Sequence, residues 1–412
     1  MTFIYIYPLS RQLMSISDQS TNRLDAIDLV RGFAVVLMAI DHVRDFFYYA
    51  STTNDPMATG SIEFDLFFTR FITHFCAPTF IFLAGTSAGL MALRKSKHDL
   101  AQHLIKRGLW LIFVEVVIIS FGWTFSPFGI PEIGGATLII MQVIWAIGAS
   151  MIILGILQYL PVKLVLAMSI TIILGHNLLD NTWPKPGNGG FDVAPLWVAL
   201  HAQSSVILAK LHLFFVYPLL PWIGVMALGF STARVFSLAP GIRKKSLLIV
   251  GISLCTTFMI LRLFNLYGEP IAWISNTESW LQTTMNFMNV SKYPPSLLFL
   301  CMTLGPCFIL LALAENCKGK LAQILTIFGR TPFLFYVAHI YLIHLLASLT
   351  GIVLGHNPEK MIGSFIFYPE DWGFSLPIVY IVWLAVLLML YPLCAWFAKI
   401  KKTAKNWWLS YL

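Results

Sequence analysis

The sequence predicts an all-α, polytopic membrane protein of about ten transmembrane helices with both termini cytoplasmic. Three observations carry this. First, 58% of the 412 residues are hydrophobic and only 11% are charged, whereas a soluble chain needs about a quarter of its residues charged to cover its surface. Second, the apolar residues fall in continuous runs of roughly 20, the length that crosses a bilayer as helix. A transmembrane barrel would show alternating segments of about ten instead. Third, the basic residues gather in short connections, so membrane topology rather than nucleic acid accounts for the net charge of +8.

The spans fall in order at roughly 28–50, 64–93, 103–121, 136–159, 162–179, 209–231, 246–267, 294–316, 322–350 and 374–399, with ends uncertain by several residues. "MTFIYIYPLS" lacks the basic n-region of a signal peptide. Met14 opens a polar lead-in and is the expected start of translation. Residues 1–22 read as a cytoplasmic tail, 23–400 as one transmembrane domain without internal repeats, and 401–412 as a basic cytoplasmic tail. Arg94, Lys95, Lys97, Lys106 and Arg107 follow span two, and Arg234, Arg243, Lys244 and Lys245 follow span six. Lys318 and Lys320 follow span eight, and Lys399, Lys401, Lys402 and Lys405 follow span ten. An even number of spans puts all four groups on the cytoplasmic side. The opposite loops carry Asp55, Glu63, Glu132, Glu269, Glu278, Glu370 and Asp371. The six cysteines form no CxxC pair and read as small buried hydrophobes.

The candidate functional residues are ionisable groups inside these spans, which are costly in lipid unless they face a cavity or a partner. Span one carries Arg31 near its cytoplasmic end and Asp41, His42, Arg44 and Asp45 near its outer end. At ~1.5 Å per residue, His42 stands about 16 Å beyond Arg31. By the same depth argument His74 of span two and His339 and His344 of span nine reach the outer half, while Arg330 sits near Arg31. The pattern predicts a passage with a cationic inner mouth and an imidazole-lined outer half. Packing histidines are the alternative for His74 and His339, and a structural role is expected of His344. Arg44 is expected to snorkel to the headgroups. Pairing with Asp28, one turn back, competes with snorkelling for Arg31. The histidines inside the spans form neither HxxxH nor HxxE, and no metal is expected. Pro78 beside His74 predicts a kink, and Gly85 with Gly89 allows close helix approach.

"RLDAIDLVRG" followed by "FAVVLMAIDH", with the Arg–x10–His spacing of Arg31 and His42, resembles the opening of the transmembrane acyltransferases. "APTFIFLAG", "SKYPPSLLFLCMTLGP" at 291–306 and "FGRTPFLFYVAHIYLIHLL" at 328–346 resemble the bacterial membrane proteins grouped with the catalytic domain of heparan-α-glucosaminide N-acetyltransferase. The resemblance runs from about 23 to 400. It implies transfer of an acetyl group from cytoplasmic acetyl-CoA, the acyl-CoA partner, to a sugar or glycan acceptor across the bilayer, in a bacterial inner membrane. Under it, Arg31 and Arg330 hold the CoA phosphates or pantetheine. His42 acts as general base or transient acyl carrier, oriented by Asp41 or, with better geometry, by Asp45. In the family's lysosomal branch the catalytic histidine lies further on, at a place matched here by Thr53, so the catalytic base stays open between His42 and His74. An imidazole base implies activity rising with pH near ~6.5. A transporter or flippase using buried His, Asp and Arg as a proton relay is the first alternative, and a non-catalytic sensor is the second. The acceptor and any homo-oligomer stay open.

Overall fold

A computed structural model describes residues 16–51, 57, 63–126, 129–180, 195–276 and 279–404, with side chains from residue 25 onward. Met14, Thr53, Asp55, Glu278, Lys405 and most of both predicted tails lie outside them.

In lipid every backbone polar group must be satisfied within its own segment, so apolar runs become helices. In chain order these are α1 (Ile16–Phe47), α2 (Phe64–Thr73), α3 (Cys76–Ala92) and α4 (Lys97–Phe113), which continues through a π-helical turn at Val114–Ile119 into α5 (Ser120–Thr124). Strand β1 (Thr137–Met141) leads into α6 (Val143–Leu157), and α7 (Val162–Gly175) and α8 (Pro195–Leu200) follow. Strands β2 (Ser204–Leu208) and β3 (Leu211–Phe215) precede α9 (Leu219–Thr232), α10 (Pro240–Leu263), α11 (Trp280–Met288) and α12 (Leu297–Ala314). The chain ends with α13 (Lys320–Arg330), α14 (Pro332–Val353), α15 (Pro358–Ile362) and α16 (Leu376–Thr403).

Among the described residues, seven segments are long and apolar enough to cross a membrane: Phe64–Met91, Val162–Leu179, Leu219–Ser237, Pro240–Leu263, Leu297–Ala314, Pro332–Val353 and Leu376–Thr403. The other three expected spans are helical as well. α1 carries charges at both ends of its apolar stretch, Lys97–Thr124 is interrupted by Lys106, Arg107 and Glu115, and α6 has only 15 residues.

Two expectations need correction. The fold is not all-α: a three-stranded sheet of order β1-β3-β2 pairs Thr137–Met141 in parallel with Leu211–Phe215, and Ser204–Leu208 antiparallel to it. The outer thirds of expected spans four and six are therefore strands. Span nine is two helices, because Pro332 opens a new helix after the turn at Thr331. Span two is interrupted beside Pro78, where the kink was expected: His74 and Phe75 keep right-handed helical dihedrals and Phe64–Met91 runs on as one span. Its backbone ends one helix at Thr73 and begins another at Cys76, with Pro78 in the first turn, where its missing N–H is not needed.

Two close helix pairs frame the interior. At α3 and α9, a Cβ on Gly85 would lie 2.0 Å from the Met226 carbonyl oxygen, and one on Gly229 would lie 2.1 Å from that of Phe82. At α1 and α13, a Cβ on Gly32 would lie 1.8 Å from the Leu325 oxygen, and one on Gly329 would lie 1.7 Å from that of Asp28. Only glycine permits these backbones to touch.

Candidate active site

The α1–α13 contact sets the basic end of the site. Because Gly32 and Gly329 bring the two backbones together, their sequence neighbours Arg31 and Arg330 emerge side by side and share Asp28. Arg31 Nη1 donates to Asp28 Oδ1 at 3.1 Å, and Arg330 Nε lies 3.6 Å from Asp28 Oδ2. Arg31 Nη2 also donates to Ser87 Oγ at 3.2 Å, and Arg330 Nη2 to Asp25 Oδ1 at 2.7 Å. Both arginines line a cavity of about 440 Å³ together with Lys95, His103, Arg107 and Lys401. The pairing of Arg31 with Asp28 and the convergence of the two arginines are as the sequence implied. Lys401 belongs to this cavity at the end of α16.

A second cavity of about 250 Å³ lies at the far end of α1. It is lined by His42, Asp41, Arg44, Asp45, Arg70 and Lys292, and the sheet contributes Leu138, Ile140 and Phe214 to its wall. The two cavities meet at Met38, Phe80 and Val143, which line both.

At the second cavity two of the predicted histidines touch. His42 Nδ1 and His339 Nε2 are 2.7 Å apart, with the rings near parallel at 21°. The tautomers follow from the partners. His339 Nδ1 lies 2.9 Å from the Phe335 carbonyl oxygen, which can only accept. His339 therefore carries its proton on Nδ1, and its Nε2 accepts from the Nδ1–H of His42. The Nε2 of a neutral His42 then keeps its lone pair. Trp123 packs edge-on against the His42 ring, with centroids 5.0 Å apart, and limits its rotation.

The aspartates do not hold this imidazole. Asp41 is paired with Arg70, lies 2.9 Å from Arg44 Nη1, and has Lys292 Nζ at 3.9 Å. Asp45 accepts from Arg44 Nη2 at 2.7 Å. Their guanidinium partners out-compete a neutral imidazole for carboxylate. His42 is hydrogen-bonded to His339 and not to Asp45, the partner expected, and Arg44 is 5% exposed in an ion network rather than snorkelling. His74 does not join the pair. It is buried against Phe71 and Phe299 with Nδ1 unpartnered, beside Arg70 and Lys292. His344 has Nδ1 2.8 Å from the Gly122 oxygen and Nε2 2.9 Å from the Gly363 oxygen, so it serves as a brace, as expected.

Sequence reasoning missed Arg70, Lys292, Glu115, Trp123 and Tyr336. Arg70 and Lys292 sit near the ends of apolar runs, where a basic residue reads as a topology signal. Glu115 is fully buried in the π-helical turn, and its Oε2 accepts from the Trp145 N–H at 2.8 Å. Tyr336 is 3% exposed, lines the basic cavity and has no partner for its hydroxyl. Its ring centroid lies 6.4 Å from that of His42.

A helical membrane protein holding a basic chamber against an imidazole-lined one defines the class: an integral, multi-pass membrane enzyme. A family model described as heparan-alpha-glucosaminide N-acetyltransferase, catalytic, matches residues 23–261. The match covers more than half of the chain, and the protein belongs to that family, whose members are acetyltransferase-type enzymes. The matched segment includes Arg31, His42, Arg70 and His74 and ends before Lys292, Arg330 and His339. No curated protein matches the chain.

Proposed function

We propose that the protein transfers an acetyl group from acetyl-CoA, bound in the basic chamber, to a hydroxyl or amine of a sugar or glycan in the histidine chamber. One observation carries this reading: the two chambers differ in chemistry and abut at Met38, Phe80 and Val143, close to the His42–His339 pair. The basic chamber opens among Lys95, Arg107 and Lys401, which fall in the positive connections that face the cytoplasm in a bacterial inner membrane. On a reading of ten crossings, which counts α1, Lys97–Thr124 and α6 beside the seven apolar spans, both termini lie on that side.

In this reading Arg31 and Arg330, with the lysines, bind the phosphates of the donor, since a guanidinium fork matches phosphate oxygens. The thioester reaches the junction of the chambers. Tyr336, whose hydroxyl has no protein partner, donates to the thioester oxygen as negative charge develops there. The acceptor hydroxyl or amine attacks the carbonyl carbon. His42 Nε2 removes its proton, and the intermediate collapses by breaking the carbon–sulfur bond. The CoA thiolate leaves and is protonated by the imidazolium. His339 fixes the tautomer through His42 Nδ1, the part a carboxylate plays in a Ser-His-Asp triad. Three cations against two carboxylates around the outer chamber favour an acceptor that carries an acid group.

Membranes containing wild type or His42→Gln, at matched protein levels, test the reading with radiolabelled acetyl-CoA, followed by separation of lipid, glycan and protein fractions. Label entering a glycan or glycolipid only with wild type supports it. No transfer to any fraction, together with no CoA binding by the purified protein, overturns it. Family membership disfavours the transporter alternative.

A further inference from the structure

We propose that His176, Asp180 and His201 form a binding site for one divalent transition-metal ion of the zinc class, away from the two chambers. His176 and Asp180 stand four residues apart at the end of α7, on either side of the 3-10 turn His176–Leu179, and His201 follows directly on α8. One ligand atom from each lies within 4.8 Å of the other two. Tetrahedral bonds of about 2.0–2.2 Å put ligand atoms roughly 3.3 Å apart, so small side-chain rotations complete the site.

Burial makes the cluster unlike an ordinary hydrogen-bonded pair. His176 is 2% exposed and neither of its ring nitrogens has a partner, and His201, 4% exposed, has Nδ1 unpartnered. A neutral imidazole always presents one N–H and one lone pair, and leaving both unsatisfied in a buried place is unfavourable. A metal ion takes up that lone pair. The His201 Nε2 to Asp180 Oδ1 contact of 2.8 Å accounts for His201 and Asp180 alone and leaves His176 unexplained. The carboxylate is already oriented from behind. Asn177 Nδ2 donates to Asp180 Oδ2 at 2.8 Å, and Asn177 Oδ1 accepts from the Leu297 N–H at 2.9 Å, which roots the cluster in α12. Such outer-shell bonds are the usual support of metal ligands.

The donor set selects the ion. Two imidazoles and one carboxylate suit Zn²⁺ and its neighbours, whereas Ca²⁺ and Mg²⁺ require six or more oxygens. Three protein ligands leave the fourth position to water. Bound metal would clamp the turn that follows α7 to the C-terminal end of α8.

The test uses tag-free, full-length protein in detergent, equilibrated with Zn²⁺, desalted and analysed for metal per chain, in parallel with thermal unfolding. Wild type is expected to retain about one equivalent and to unfold at a higher temperature with Zn²⁺ than with a chelator. His176→Ala and His201→Ala are expected to lose the retained metal and the thermal shift, while His98→Ala at an exposed position keeps both. Asp180→Asn gives the same reading should the histidine variants fail to fold: it keeps shape and removes the charge. Wild type that emerges metal-free, or retention unchanged in all three site variants, overturns the proposal.

Discussion

At the scale of single residues, the proposed chemistry rests on a chain of two hydrogen bonds from the Phe335 carbonyl through His339 to His42. A positioned general base contributes about 10²–10⁴-fold to rate. His42→Gln is therefore expected to lower kcat by at least ~10² with donor binding unchanged, as read by single-turnover acetyl transfer beside a CoA-binding titration. Equal loss of CoA binding would place His42 in the donor site instead. His339→Gln tests the orienting bond separately. A glutamine amide oxygen can still accept from His42 Nδ1–H, whereas phenylalanine cannot, so kcat should fall less for His339→Gln than for His339→Phe at unchanged KM for the donor. The spacing of Arg31 and His42, and the common depth of His42 and His339, were legible from helical rise alone. That Asp41 and Asp45 serve Arg44 and Arg70 was not, because a one-dimensional reading sees only neighbours on the same helix, and Arg70 arrives from α2.

At the scale of elements, glycine controls where the arginines of the proposed donor site converge. Gly32 and Gly329 let α1 and α13 pack backbone to backbone, and the arginines next to them converge as a consequence. Gly329→Ala would drive a methyl group into the Asp28 carbonyl and push α13 outward, at a cost of about 1–3 kcal/mol of overpacking. The expected result is a raised KM for acetyl-CoA and a lowered unfolding temperature, whereas Arg330→Ala should raise KM with no thermal effect, since its side chain is 44% exposed. Kinetics against donor concentration and a thermal melt of each variant separate the two cases. The sequence displayed "VRGF" and "FGRT" as motifs, and their physical basis is this crossing. The sheet was illegible for a different reason. "TLIIMQVIWA" and "LHLFFVYPLL" are mostly apolar with no polar alternation, and a short apolar run without alternation has no period to tell strand from helix. The mixture of β-branched and aromatic residues in both was the one usable signal.

At the scale of the whole molecule, the arrangement sets a direction. Arg31, Lys95, Arg107, Arg330 and Lys401 line one chamber, and His42 with Arg44, Arg70 and Lys292 and their two aspartates lines the other, so the two lie at opposite ends of the Arg31–Asp45 stretch of α1. Sealed vesicles should thus consume acetyl-CoA only when it is supplied on the side of the basic loops. Oriented vesicles, assayed before and after permeabilisation, measure this. Consumption from the opposite face alone would mean that the donor chamber opens there, and equal consumption from both faces of oriented vesicles would overturn the direction. The helical, multi-pass character was readable from composition, because it depends on summed apolarity. The joining of α1, α2, α13 and α14 into one site was not, because those contacts lie 29 to 305 positions apart in the chain.

Met38, Phe80 and Val143, the side chains shared by the two chambers, have a consequence for the cell's energy supply. A hole filled with water and charged groups from face to face would be a short circuit for the proton-motive force. An oily partition between the chambers acts as electrical insulation: it passes a neutral two-carbon fragment by covalent exchange and resists the current that hydrated ions would carry. Thinning that partition with Met38→Gly should cost the host more through collapse of its membrane potential than through lost catalysis. A potential-sensitive dye in proteoliposomes, with and without the substitution, would register the leak directly.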